Sequence, residues 1–135
     1  MKSHRKQQHR ELLSAQDKSD VEKSAFVLAN PTHIAIGIYV NLEITPLPFV
    51  SFVEKGEKAF ALIQYAEKCG TPVVRDIAVA RRLFKSARQY SFITLEMLEP
   101  IFRILVWLHE INVARGTAHE KPLLPVADTT DNSTP

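Results

Sequence analysis

Hydrophobic and polar positions divide the chain into stretches of different texture. Residues 2 to 23 hold few apolar side chains beyond Leu12, Leu13 and Val21, and contain neither Gly nor Pro. That pattern predicts a solvated helix, which cannot hold itself together by burial and so leads in from something else. At Ser24 the texture changes. Ala25 to Ala29 is a short uncharged apolar run, and Ile34 to Val40 is a second, rich in β-branched residues. Both read as buried strands, joined by a turn at Asn30-Pro31-Thr32-His33. Pro46 and Pro48 bracket a loop before a third strand, Phe49 to Val53. Glu57 to Cys69 places Ala59, Leu62, Ile63 and Ala66 on one helical face, with Gly70 where a C-cap belongs. Pro72 to Val74 is a minimal fourth strand. Asp76 can cap a helix running to about Ala87, with Ile77, Ala80 and Phe84 on one side. A last helix, from near Thr94 to about Ala114, carries a stripe of Ile101, Ile104, Leu105, Leu108 and Ile111 beside Trp107. Pro100 either marks its true first turn or kinks it. Phe26, Phe49, Phe52, Phe60 and Trp107 read as core. After Gly116 the residues Pro, Thr, Asp, Asn and Ser dominate without a period, which predicts disorder.

Strands and helices alternate after Asn41, so the expected fold class is α/β: a small mixed β-sheet of about four strands packed by helices, with an extended N-terminal linker helix. Three regions follow: a linker helix at 1–23, an α/β domain at 24–115 and a tail at 116–135. A length of 135 residues suits one core, and 45% hydrophobic with 24% charged residues is a globular composition. The run Ile104 to Leu108 falls far short of the ~20 residues a membrane-spanning helix needs. No basic-then-apolar signal opens the chain, so a soluble domain without an export address is expected.

Charge and cysteine usage narrow the chemistry. One cysteine, Cys69, allows neither an internal disulfide nor a cysteine-cluster metal site. Its place at a helix end beside Gly70 reads as packing rather than as half of a nucleophile pair. His109 and Glu110 lack metal-ligand spacing, so neither metal nor cofactor is expected. A net charge of +2 from 17 basic and 15 acidic residues does not announce a nucleic-acid partner. Lys2, Arg5, Lys6 and Arg10, with His4 and His9 interleaved, form a solvated linker or a contact for anionic lipid; no aromatic residue is interleaved for base stacking. Arg75, Arg81, Arg82, Lys85 and Arg88 crowd around the third helix with only Asp76 opposing them. They form either a partner-binding surface or a plain solvated face.

The turn carries the distinctive chemistry. Asparagine usually degrades when the next residue's backbone nitrogen attacks its side-chain amide, but Pro31 has no N–H. The reverse attack stays open: the Asn30 side-chain nitrogen attacks its own backbone carbonyl, closes a succinimide and expels Pro31. The X-Pro bond is a tertiary amide with a weakened trans preference, and Pro31 at the second position of a β-turn holds Asn30 in one pose. His33 lies at the right distance to move a proton across the turn, and backbone N–H groups can stabilise the oxyanion. Thr32 shapes the turn through its hydroxyl. Taken bare, most Asn-Pro pairs are ordinary turn punctuation.

The flanks add to this. Asn30-Pro31-Thr32-His33 followed by Ile-Ala-Ile-Gly-Ile-Tyr resembles the self-cleaving cytoplasmic domain of the type III secretion export-switch family, which serves flagellar and injectisome machines. The likeness continues through Glu54-Lys55-Gly56, Ala66-Glu67-Lys68, Thr71-Pro72-Val73-Val74 and Ala78-Val79-Ala80-Arg81-Arg82-Leu83-Phe84, and ends in the helix around Trp107. It covers roughly residues 2 to 114, in order, and favours the injectisome branch. The resemblance implies cleavage between Asn30 and Pro31 by Asn cyclisation, with Thr32 and His33 completing the motif. It implies halves held together by two paired strands, and a machine that then changes from early to later substrates. Implied partners are other export-apparatus proteins, a needle-length regulator and secreted substrates. The implied location is the cytoplasmic face of the bacterial inner membrane, behind a membrane domain that this piece lacks.

Two functional classes remain open at this point. One is a single-turnover self-cleaving switch, not an enzyme in the turnover sense. The other is an uncleaved docking module that uses the same fold and its basic helix to hold export substrates or partner proteins. Within the first, His33 is either a general base or a hydrogen-bonding stabiliser of the turn.

Overall fold

The computed structural model describes residues 12–30 and 33–116. Its elements are α1 (Ala15–Lys23), β1 (Phe26–Asn30), β2 (Ile34–Tyr39), β3 (Phe49–Lys55), α2 (Gly56–Cys69), β4 (Val73–Arg75), α3 (Ile77–Ser86), a 3₁₀ turn (Leu95–Met97) and α4 (Leu98–Arg115). The class is α/β, with the four strands in one sheet ordered β3-β2-β1-β4. β1 pairs antiparallel with β2 and parallel with β4, so the sheet is mixed as expected. The tail at 117–135 and the basic stretch from Lys2 to Arg10 lie outside the described residues.

Local chemistry explains where the helices begin and end. Ser14 and Asp17 form a reciprocal capping box at the start of α1. Gly70 ends α2 in the left-handed region, and the Asp76 carboxylate accepts from the Val79 N–H to start α3. Pro100 falls in the first turn of α4, where a missing N–H costs no intrahelical bond, so it does not kink the helix.

Strand alternation then sorts the core. Phe26 and Leu28 of β1 pack with Ile36 and Ile38 of β2 against Ala80 and Leu83 of α3 and Ile101 and Leu105 of α4. Val27 and Ala29 join Ala35 and Phe52 on the other cluster, against Val21 of α1 and Ala59, Leu62 and Ala66 of α2. β1 is therefore buried on both faces and flanked by strands on both edges. The free edge of β3 is covered by the segment after α3: Val50 donates to the Ser91 carbonyl and Tyr90 to that of Val50, each at 2.7 Å.

α1 has a thin apolar face and is held by polar contacts as well as by Val21. The Thr71 hydroxyl donates to the Val21 carbonyl, and Lys58 pairs with Asp17. The Tyr65 hydroxyl donates to Glu22, which pushes that phenol up to about 12. Asp20, only 6% exposed, accepts from the Tyr90 hydroxyl at 2.8 Å and from the Gln16 amide at 2.9 Å. A charged acceptor left short of a partner in a buried place is costly. Tyr90→Phe is therefore expected to lower stability by about 1 kcal/mol, read as a lower urea midpoint at unchanged slope; an unmoved midpoint would show that water replaces the hydroxyl.

Three expectations are corrected. Phe60 and Trp107 are 43% and 52% exposed and lie on solvent faces of α2 and α4, while Phe26 and Phe52 are core. The apolar content of both helices exceeds what one face can bury, so the surplus points outward. Ile77 is likewise exposed: the packed side of α3 is Ala80 and Leu83, with Val79 and Phe84 at its margin. Asp76 is not the acid opposing Arg75; it caps α3, and Arg75 pairs with Glu67 at 3.0 Å.

Candidate functional site

Asn30 is the last residue of β1 and His33 immediately precedes β2. The register pairs Asn30 with Ile34, so three residues, 31 to 33, connect the strands, one more than the tightest hairpin. Asn30 is 4% exposed, placed by a strand that cannot shift without disturbing two neighbours. His33 is exposed and has φ +65°, the left-handed region, where His is tolerated better than β-branched residues but still at a cost. Pro31 and Thr32 lie outside the described residues.

Backbone groups of the turn converge on Asn30. The His33 N–H donates to the Asn30 carbonyl oxygen at 3.1 Å, and the Ile34 N–H donates to the Asn30 side-chain Oδ1 at 3.1 Å. The first acceptor belongs to the Asn30-Pro31 peptide bond. A donor there draws electron density from the carbonyl carbon, as an oxyanion-hole donor does. The second fixes the side-chain amide that would have to attack that carbon.

His33 is itself held from the neighbouring hairpin. Its carbonyl accepts from the Gly56 N–H at 2.9 Å. Gly56 has φ +74°, a conformation glycine adopts freely, at the junction where β3 ends and α2 begins. The imidazole meets the ring of Phe60 edge-on, at 5.5 Å between centroids and 69° between planes. In the sequence neither is a site residue: Gly56 enters only through the Glu54-Lys55-Gly56 likeness and Phe60 reads as core, because nothing local marks an apolar helix residue as the neighbour of a distant turn.

The basic residues are all exposed but do not share one face. Arg81, Arg82 and Lys85 lie on exposed positions of α3, and Arg88 follows it. Arg75 ends β4 in register with Ala29 and pairs with Glu67 of α2, whereas α3 packs on the other face of the sheet, so Arg75 does not join the basic residues of α3. Cys69 lies at the exposed end of α2, its Sγ 3.4 Å from the Thr71 hydroxyl. No group of His, Cys, Asp and Glu among the described residues could hold a metal ion. A shallow groove between Glu99, Phe102, Arg103, Val106, Trp107 and Glu110 on α4 includes no residue of the turn. No helix among the described residues is long and apolar enough to cross a membrane.

Comparison with known proteins places this geometry. The chain is 49% identical over 125 residues to the secretion apparatus protein BsaZ of Burkholderia thailandensis, covering 90% of this chain but 33% of BsaZ. It thus spans about a third of the length of that relative. The native SpaS C-terminal domain superposes with a TM-score of 0.61 at 46% identity, over 64% of this chain and 99% of the SpaS domain. The cytoplasmic domain of FlhB from Shewanella putrefaciens shares the fold, with a TM-score of 0.68 at 16% identity over 76% of this chain and 81% of that domain. The profile of the FlhB HrpN YscU SpaS Family matches residues 1–108. With its sheet, its Asn-Pro turn and this match over most of its length, the chain belongs to the FlhB HrpN YscU SpaS family of bacterial export proteins.

Proposed function

We propose that this domain is a self-cleaving switch of a type III secretion export apparatus, which cuts its own Asn30-Pro31 bond. The observation that carries the reading is the pair of backbone donors on Asn30, one on the scissile carbonyl and one on the side-chain amide. In the reaction Nδ2 forms a bond to the Asn30 carbonyl carbon, and the carbon–nitrogen bond to Pro31 breaks. One proton passes from Nδ2 to the proline nitrogen, leaving a succinimide at Asn30 and a free imino group on Pro31. Holding nucleophile and carbonyl on one buried residue supplies the orientation that an intramolecular attack needs. His33 stands beside the bond, and either its imidazole carries the proton or its backbone N–H alone serves as donor.

The sheet explains why the cut is tolerated. β1 stays between β2 and β4 after scission, and Phe26, Val27 and Leu28 are wholly buried. Each such side chain contributes about 1.5–3 kcal/mol by burial, so the two pieces remain one body while the turn is freed. A freed turn changes what partners meet, and the exposed Arg81, Arg82, Lys85 and Arg88 on one side of the sheet and Arg75 on the other are further places for them to bind. Those partners are other proteins of the apparatus, a needle-length regulator and secreted substrates, at the cytoplasmic face of the inner membrane. The nearness to SpaS in sequence favours the injectisome branch. The reaction happens once per chain, so there is no turnover.

Intact mass under denaturing conditions tests the proposal. Fragments 1–30 and 31–135 of about 3.4 and 11.9 kDa, by their share of 15.3 kDa, are expected. The shorter fragment should first appear one water lighter than the free acid, as a succinimide must. Under native conditions both should elute together. A single 15.3 kDa species after long incubation at neutral pH would leave the turn inert and favour the docking module.

A further inference from the structure

We infer that Phe60 is a positioning residue for the cleavage turn, holding the His33 imidazole in one orientation from the neighbouring helix. The inference rests on the self-cleavage reading above. Phe60 is 43% exposed and lies outside both core clusters, so burial does not explain an aromatic ring at this place. It sits four residues after Gly56, hence one turn along the same side of α2. Gly56 holds the His33 carbonyl through its N–H, and Phe60 holds the His33 ring edge-on at 5.5 Å. The first two turns of α2 thus grip the same residue twice, once by the backbone and once by a side chain.

That second grip matters because an exposed imidazole on a left-handed residue otherwise turns freely about its side-chain bonds. Edge-to-face aromatic pairs are favourable beyond the area they bury, and the preference is for a ring, not merely for volume. A leucine of similar bulk offers no such geometry. Tyrosine or tryptophan does.

Cleavage is followed from time zero by cell-free synthesis of the full 135-residue chain, reading the 31–135 fragment on denaturing gels. Phe60→Ala and Phe60→Leu are expected to slow the cut about 3- to 10-fold. Phe60→Tyr is expected to stay within about 2-fold of wild type. In the Asn30→Ala chain, which remains whole, the His33 ring protons should show a ring-current displacement that Phe60→Leu removes, with the thermal midpoint little changed. Wild type that cuts while Phe60→Ala and Phe60→Leu cut at the same rate overturns this inference and leaves the self-cleavage reading standing. Slowing without any change in the His33 resonances overturns it too, since Phe60 would then act elsewhere. A wild-type chain that stays whole overturns both.

Discussion

Asn30→Ala is expected to leave one uncut chain of 15.3 kDa under every condition in which wild type yields two fragments. The substitution removes the only nitrogen that closes a five-membered ring on the Asn30 carbonyl. Intramolecular attack in a fixed pose is worth up to about 7–11 kcal/mol, so no residual cut should be measurable on the laboratory timescale. Asn30→Asp separates chemistry from structure. Its carboxylate keeps an oxygen for the Ile34 N–H, so the turn retains that hydrogen bond while the nucleophilic nitrogen is gone. It should fold as wild type and stay whole at neutral pH. If Asn30→Asp cuts at the wild-type rate, Asn cyclisation is not the route.

Gly37→Ala, the addition of a single methyl group, is expected to cost the sheet substantial stability. A Cβ at Gly37 would lie 2.3 Å from Phe52 Cε2 and 2.5 Å from the Ser51 hydroxyl oxygen. Phe52 cannot swing away, because it is 2% exposed and packed among Val27, Ala35 and Leu62. Ser51 is held as well, its hydroxyl paired with that of Ser24 at 2.6 Å. Overpacking of this kind costs about 1–3 kcal/mol, and with both neighbours pinned the upper end is expected. The site coincides with the register shift between Gly37 and Ile38 where β2 meets β3. Urea unfolding in the uncut Asn30→Ala chain measures the effect free of fragment dissociation. A midpoint within error of the parent would mean that the sheet opens at this bulge more readily than its packing implies.

Much of the architecture is legible in the sequence. Short uncharged runs marked β1 and β2, since a strand covered on both faces has no polar side to display. Gly70 and Asp76 marked the end of α2 and the start of α3, because cap chemistry is local. The reading was least reliable for which apolar residues of a helix face inward. Phe60, Ile77 and Trp107 looked like core and are exposed, because facing depends on partners far away in the chain.

The site divides the same way. The sequence by itself determined the candidate pair, for proline after asparagine closes one degradation route and leaves the other, a matter of covalent chemistry. It also determined that the pair stands at a turn between buried strands. Only the tertiary structure decided that β1 lies between β2 and β4, which is what can keep a cut chain in one piece. Only it decided that the His33 and Ile34 amides both aim at Asn30, that His33 takes a left-handed backbone, and that Gly56 and Phe60 hold it there. Those contacts join the turn to a helix start more than twenty positions later, and hydrogen bonds and ring contacts form between groups that folding brings together, not between neighbours in sequence.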